Sequence, residues 1–342
     1  MLFSESRQHG VVARTASALV VLALIALGAT IAWLAYFAVT PIEAPPGQRY
    51  FDVKQGQSVR QVALELEGAG LISSAQGFVV LARVLGRAGQ IKAGSYEANS
   101  KVSPLGLLDK LTRGQFTMGQ IRFTEGWTFR QLRAALNDDP ALRHDTKDLT
   151  DGAILERIGA QEAQPEGLFF PDTYHFAAGT SDLTILRQAY AKMRLVLTSA
   201  WERRAPRLPF ATPYEALILA SIVEKETGVP SERDVIAAVF INRLKKGMRL
   251  QTDPSVIYGL GERFDGNLRK RDLQNDQPYN TYTRYGLPPT PIALPGQASI
   301  HAALQPANSK SLYFVSRGDG THHFSDTLAE HNRAVGEFQK LR

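Results

Sequence analysis

This sequence predicts an α+β protein: an N-terminal transmembrane helix, a small α/β module, then a larger α+β domain. Three observations predict it. No residue between Arg14 and Glu43 is charged, over a stretch rich in Ala, Leu, Val and Ile. From Tyr50 onward, short β-like runs alternate with segments of helical apolar spacing, many entered at a Ser or Thr and left at a Gly. No later segment is as apolar as the first, so the remainder reads as globular. The chain has 342 residues, 44% hydrophobic and 21% charged, which suffices for two domains and an anchor. The net charge of +6 suits an anionic polymer or an acidic membrane surface. There is no long Lys/Arg run and no nucleic-acid-binding motif, so nucleic acid is not an expected partner. The absence of cysteine excludes disulfides, thiolate metal sites and a Cys nucleophile.

The uncharged run, residues 15–42, exceeds the roughly 20 apolar residues that a spanning helix needs. It is also longer than the ~7–15-residue core of a signal peptide, the competing reading. Trp33 and Tyr36 lie near its far end, where aromatic rings favour the interface. Arg7 and Arg14 flank the near end and the first basic residue beyond the run is Arg49. The positive-inside bias then places residues 1–14 in the cytoplasm and everything after about residue 42 outside it. Pro45, Pro46 and Gly47 mark residues 43–49 as a linker.

Residues 50–99 read as a module. YFDVKQGQS is a strand and a turn at Gly56, and Ser58 is a candidate N-cap for a helix with Val59, Val62, Ala63 and Leu66 on one face. A second helix fits Ser74 to Leu85, with Phe78, Leu81, Ala82 and Leu85 together. IKAGSYEAN returns as a strand. This strand–helix–helix–strand layout, with VKQGQS and IKAGSY at its ends, resembles a LysM domain, which implies binding of glycans containing N-acetylglucosamine. The competing reading is a structural module without a ligand. A helix after Ser103 with Pro104 at its first position opens residues 100–342. IRFTEGWTFRQLRAAL then echoes VKQGQSVRQVALEL as a degenerate strand–turn–helix repeat.

The densest run of motifs is LILASIVEKETGVPSERDVIAAVFINRLKKGMRLQTDP. Thr212-Pro213-Tyr214-Glu215 reads as a capping-box start, and Gly228 and Pro230 as the stop. Inside this helix Glu226 shares a face with Leu219, Ile222 and Val223, whereas Glu224 points to roughly the opposite side. An apolar surrounding and a place in the last turn both disfavour a carboxylate. A carboxyl that keeps its proton near neutral pH is what glycosidic cleavage asks of a general acid. A solvated Glu at a fraying helix end, or one paired with Arg233, is the structural alternative. The next helix is read from Ser231, with Asp234 three residues on as a capping signature, and it carries Asn242 and Arg243 near its end.

SIVEKET, SERD, VFINRL, GMRLQTDPSVIYG, YNTYT, GLPPTPI and LYFVSRGDGTHHF, with the anchor and the module before them, resemble the MltG-type (YceG-like) endolytic murein transglycosylases from about Tyr50 to the C-terminus. The resemblance implies that Glu226, the second Glu of E-K-E-T, is the catalytic acid and base. It implies a lyase-type cut within the glycan strands of peptidoglycan, leaving 1,6-anhydro-N-acetylmuramic acid ends without a cofactor or a metal. It further implies an inner-membrane protein with a periplasmic catalytic domain, terminating strands beside cell-wall synthases. Asn242, Gln251, Asp253, Tyr258, Tyr279, Asn280, Tyr282 and His322 are the candidate substrate-binding residues, being polar or aromatic groups suited to sugar hydroxyls and ring faces. YNTY and the Pro-rich loop after it read as a cleft wall. His322, His323 and His331 lack the H-E-x-x-H spacing of a zinc site, so no metal is expected. Two alternatives stay open on the residues: a muramidase-like hydrolase using Glu226 with Asp253, and a non-catalytic, membrane-tethered scaffold that binds peptidoglycan.

Overall fold

The computed structural model describes residues 5–43, 50–97, 101–114 and 118–338. It is a mixed helix and strand fold that divides into two compact units. One comprises residues 1–119 with 176–180, the other 120–175 with 181–342.

The first unit opens with α1 (Glu5–Val39), whose Leu19–Val39 segment has a mean hydropathy of 2.3, long and apolar enough to cross a membrane. The helix stops at Val39, short of the expected residue 42, because Ile42 and Glu43 form β1 (Ile42–Glu43). The Pro-rich part of the expected linker, residues 44–49, lies outside the described residues. Next come β2 (Tyr50–Val53), α2 (Val59–Gly68), α3 (Ala75–Val84) and β3 (Gly94–Glu97). β2 and β3 pair antiparallel, with Phe51 opposite Tyr96, closing the predicted strand–helix–helix–strand order. Ser58 caps α2 in a reciprocal capping box with Gln61, and Ser74 caps α3 through the Gly77 N–H. Val62, Ala63, Leu66, Phe78, Leu81 and Ala82 are buried as their spacing predicts. Leu85 is not: it is the residue that caps the end of α3 and is 43% exposed. β4 (Lys101–Val102) pairs with β1, and α4 (Pro104–Arg113) starts at a Ser103 cap with Pro104 at its first position. The C-terminal end of α1 belongs to this core. Phe37 and Ala38 are buried, and a side chain added at Gly77 would meet the rings of Trp33 and Phe37 at 3.1–3.2 Å.

The larger unit contains α5 (Phe129–Asp138), entered from β5 (Met118–Arg122) through a Thr128–Gln131 capping box. This repeats the Ser58–Gln61 arrangement of α2, as the sequence echo predicts. It continues with α6 (Asp151–Ile158), β6 (Thr173–Ala177), α7 (Asp182–Glu202), α8 (Pro213–Glu226), α9 (Arg233–Lys245), α10 (Asp253–Leu260), α11 (Lys270–Gln274), α12 (Gln297–Leu304), β7 (Tyr313–Ser316), β8 (His322–Ser325) and α13 (Leu328–Phe338). α8 and α9 are its centre, with α12 packed on both. Ala216 to Val223 are all buried, so α8 is covered on every side and not along one apolar stripe. Ile236 to Ile241 are buried in the same way.

Two local readings change. Ser231 does not cap α9. It lies in a 3-10 turn, Pro230–Glu232, and the helix begins at Arg233 with no side-chain cap, because Glu232 is engaged elsewhere. The Pro-rich segment after YNTY walls a cavity only at Thr290, and beyond it Ile292, Ala293 and Leu294 are buried as an irregular segment. An irregular segment in a core must find partners for its backbone. Here the Ile292 N–H donates to Ser221 Oγ, the Leu294 N–H to the Trp127 carbonyl, and the Gly296 N–H to Glu224 Oε2.

Candidate active site

Glu226 is the last residue of α8 and leaves the core half-buried. It lines a cleft of about 550 Å³ with Arg243, Gln251, Asp253, Tyr282, Tyr313 and His322. Thr212 caps the start of α8 through the Glu215 N–H, with Pro213 at the first helical position. The reciprocal half of the capping box is displaced by one residue, since the Glu215 carboxylate accepts from the Ala211 N–H. At the other end Thr227 turns extended, which stops the helix with Glu226 at the mouth of the cleft.

Opposite stands the turn before α10. Gln251 adopts a φ of +53°, a conformation uncommon for a residue with a side chain. The turn is pinned by Gln251 N–H to the Thr281 carbonyl and by Thr252 N–H to Thr281 Oγ1. It buries Thr252 and aims its hydroxyl at Glu226, donating to Oε2 at 2.7 Å. Asp253, the first residue of α10, accepts from the Tyr282 hydroxyl at 2.6 Å. Arg243 comes from α9, buried, with Nε and Nη1 on the carbonyls of Leu312 and Leu250 at 2.7 and 2.6 Å. Its guanidinium sits 5.3 Å from the centre of the Tyr313 ring. His322, at the start of β8, completes the wall.

Burial raises the Glu226 carboxyl above its ordinary range, and the neighbouring Asp253 raises it further. The Thr252 hydrogen bond and the charges of His322 and Arg243 pull the other way. The result is an acid inclined to hold its proton but surrounded by groups that accept its anion. Glu224 serves a different place, with its carboxylate on the Gly296 N–H at the start of α12, as the two-residue offset predicts.

The structure gathers Gln251, Asp253, Tyr282 and His322 around Glu226 and moves four other candidates away. The Asn242 amide donates to the carbonyls of Ser309 and Ser311, holding the approach to β7. Asn280 is fully buried, and its amide donates to the carbonyls of Asp272, Leu273 and Asn275. Both are structural clamps with no donor left for a sugar. Tyr258 and Tyr279 pack edge to face, with centroids 4.8 Å apart, in a second cavity of about 510 Å³. Tyr258 lies five residues beyond Asp253 on α10, and five steps of about 100° carry it to a different face of that helix.

Arg243, read from the sequence with Asn242 as able to hold a sugar amide or a catalytic carboxylate, lines the cleft, whereas Thr252 and Glu166 were missed. Thr252 sits inside the QTDP motif, beside two residues that were named. Glu166 lies in the second cavity and is 6% exposed. It accepts from the Phe129 N–H at the start of α5 at 2.9 Å and from the Tyr258 hydroxyl at 3.0 Å. Burial outweighs both hydrogen bonds and pushes its carboxyl up to about 7. The next residue must be glycine: Gly167 has a φ of +78°, and a Cβ there would lie 2.4 Å from Pro291. The run PEGLFFPD, a Glu between Pro and Gly ahead of apolar residues, is the only trace of this in the sequence.

The chain is similar to several known proteins. An endolytic murein transglycosylase of Bacillus subtilis is 33% identical over 304 residues, covering 84% of each chain. One of Streptococcus pneumoniae is 27% identical over 322 residues, 83% of this chain and 57% of the relative. A crystal structure described as a yceG-like protein of Listeria monocytogenes superposes with a TM-score of 0.52 at 30% identity, covering 83% of this chain and 97% of that one. The model of the YceG-like family matches residues 51–337, and this chain belongs to that family.

Proposed function

We propose that this chain is an endolytic murein transglycosylase, cutting the MurNAc–GlcNAc bond inside peptidoglycan strands with Glu226 as both acid and base. The observation that supports this best is the single half-buried carboxyl, with its affinity for the proton raised, facing Thr252, Arg243 and His322 across a cleft. Glu226 in its neutral form gives its proton to the departing glycosidic oxygen. The anion so formed takes the proton of the muramic C6 hydroxyl as that oxygen closes on C1. The nucleophile is tethered to the reacting sugar, so no water has to be immobilised. Asp253, fixed by Tyr282, then raises the proton affinity of Glu226 and shapes the turn, and need not activate water. Gln251, Tyr282 and His322 line the cleft where the strand would lie.

Product chemistry tests this. Digestion of purified cell wall by the full chain should yield anhydro muramic ends, one water lighter than hydrolysis products, with no label taken up from ¹⁸O-water. Labelled, reducible muramic ends would show a hydrolase and promote the pairing of Glu226 with Asp253.

The rest of the proposed assignment follows the chain. The apolar part of α1, Leu19–Val39, anchors it in the inner membrane with residues 1–14 in the cytoplasm. Residues 50–99 form a LysM-like module that holds glycan near the bilayer, and residues 100–342 act in the periplasm, beside the synthases whose strands they terminate. The strand–helix–helix–strand order of the module and the apolar α1 support this reading. A reporter enzyme active only outside the cytoplasm, fused after Arg342, should be active, while activity of a cytoplasm-only reporter at that position would refute the orientation.

A further inference from the structure

We infer that Glu232 is a positioning residue for this site, acting through His322. Glu232 ends the 3-10 turn ahead of α9, and His322 opens β8, ninety residues later. The two meet twice. Glu232 accepts from the His322 backbone N–H at 2.8 Å, and its other oxygen lies 2.7 Å from His322 Nδ1. Both side chains are largely withdrawn from solvent, at 12% and 15% exposure. Phe314 packs edge-on against the imidazole with centroids 5.4 Å apart, and Phe324 lies 6.4 Å away.

A carboxylate facing Nδ1 makes that nitrogen a donor and fixes the plane of the ring, and in the imidazolium form the Nε2–H is the second donor, available to the cleft. His322 lines the Glu226 cleft, and its charge favours the Glu226 carboxylate. That anion appears only as the proton leaves for the glycosidic oxygen. A ring held in place stabilises it without having to reorganise at that moment. The position of Glu232 accounts for a local oddity as well: α9 starts without a side-chain cap because its nearest acidic residue is committed to His322.

The inference rests on the transglycosylase reading and concerns the chemical step more than binding. The test is steady-state cleavage of glycan strands by the full chain and three variants: Glu232→Gln, His322→Gln and the double variant. Gln at 232 keeps an acceptor for the His322 backbone N–H and removes the charge facing Nδ1. Glu232→Gln should lower kcat at least about tenfold, with KM within about twofold. In the double variant the loss should not exceed that of His322→Gln alone, because Glu232 works only through the ring. A Glu232→Gln kcat within twofold of wild type would overturn the inference, and so would an equal loss with His322 already replaced. Should Glu232→Gln fail to fold, an undiminished kcat in His322→Gln would overturn it by itself. Inactivity of the wild-type chain on glycan would instead take down the transglycosylase reading and this inference together.

Discussion

Replacing Glu226 with Gln should leave a folded protein whose glycan cleavage is slower by at least ~10²–10⁴, the usual contribution of general acid and base catalysis. Gln has the size of Glu and keeps an acceptor for the Thr252 hydroxyl, which now donates at 2.7 Å. It cannot give a proton to the departing oxygen, nor take one from the C6 hydroxyl, so both halves of the reaction fail at one position. Glu224→Gln is the control. It lies two residues away on the same helix, but its carboxylate is bound to the Gly296 N–H, outside the cleft. Its effect should fall on stability, with cleavage close to wild type. The pH profile carries a second signature. The reaction starts from the neutral acid, and the Glu226 carboxyl sits above its ordinary range. Wild-type cleavage should therefore fall as pH rises through that raised value, while the residual rate of Glu226→Gln should lack this limb. Equal losses in Glu226→Gln and Glu224→Gln would refute the assignment of the acid.

Glu166→Gln should make the protein more stable at neutral and mildly alkaline pH, the reverse of what removing a hydrogen-bonded charge usually does. The Glu166 carboxyl is pushed up to about 7 from 4.5 in the unfolded chain. The folded state therefore binds more protons between these values, and stability falls as pH rises through that window. Below 4.5 both states are protonated and the group is neutral in effect. Above about 7 both are ionised, and the buried anion costs about 3 kcal/mol, at ~1.4 kcal/mol for each unit of the 2.5-unit difference. Gln removes this penalty. Its carbonyl still accepts from the Phe129 N–H, and the Tyr258 hydroxyl has Thr290 as a neighbouring partner. Denaturant unfolding of the two proteins from pH 4.5 to 7.5 should give curves that separate by about 3 kcal/mol, the variant being the flatter. Parallel curves would show that Glu166 is not a buried acid.

Much of the secondary structure was legible because it is written in near neighbours. Ser58 with Gln61, Ser74, Ser103 with Pro104, and Thr212 with Pro213 mark helix starts over three or four residues, and all four mark helix starts in the structure. The position of Glu226 at the end of α8 was legible from its motif and the helix stop, although the burial of Ala216 to Val223 leaves no single apolar stripe for it to share. The opposed directions of Glu224 and Glu226 follow from helical geometry alone.

What the tertiary structure decided was which polar residues are spent on the protein itself. Asn242 and Asn280 look suited to a sugar in sequence, yet backbone carbonyls from 67 and 69 and from 5 to 8 residues away have claimed their amides. Tyr258 left the cleft because α10 turns it to a different face, toward a Glu166 that stands 92 residues earlier. The burial of Ile292 to Leu294 could not be read from a Pro-rich stretch, since its backbone partners are Ser221, Trp127 and Glu224 on other elements. Glu232 and His322 likewise meet across ninety residues. Local sequence determines helix starts and faces because those depend on backbone geometry within a turn or two. Whether a polar group is free for a ligand depends on every donor and acceptor that folding brings within 3 Å of it, and only the packed chain sets that.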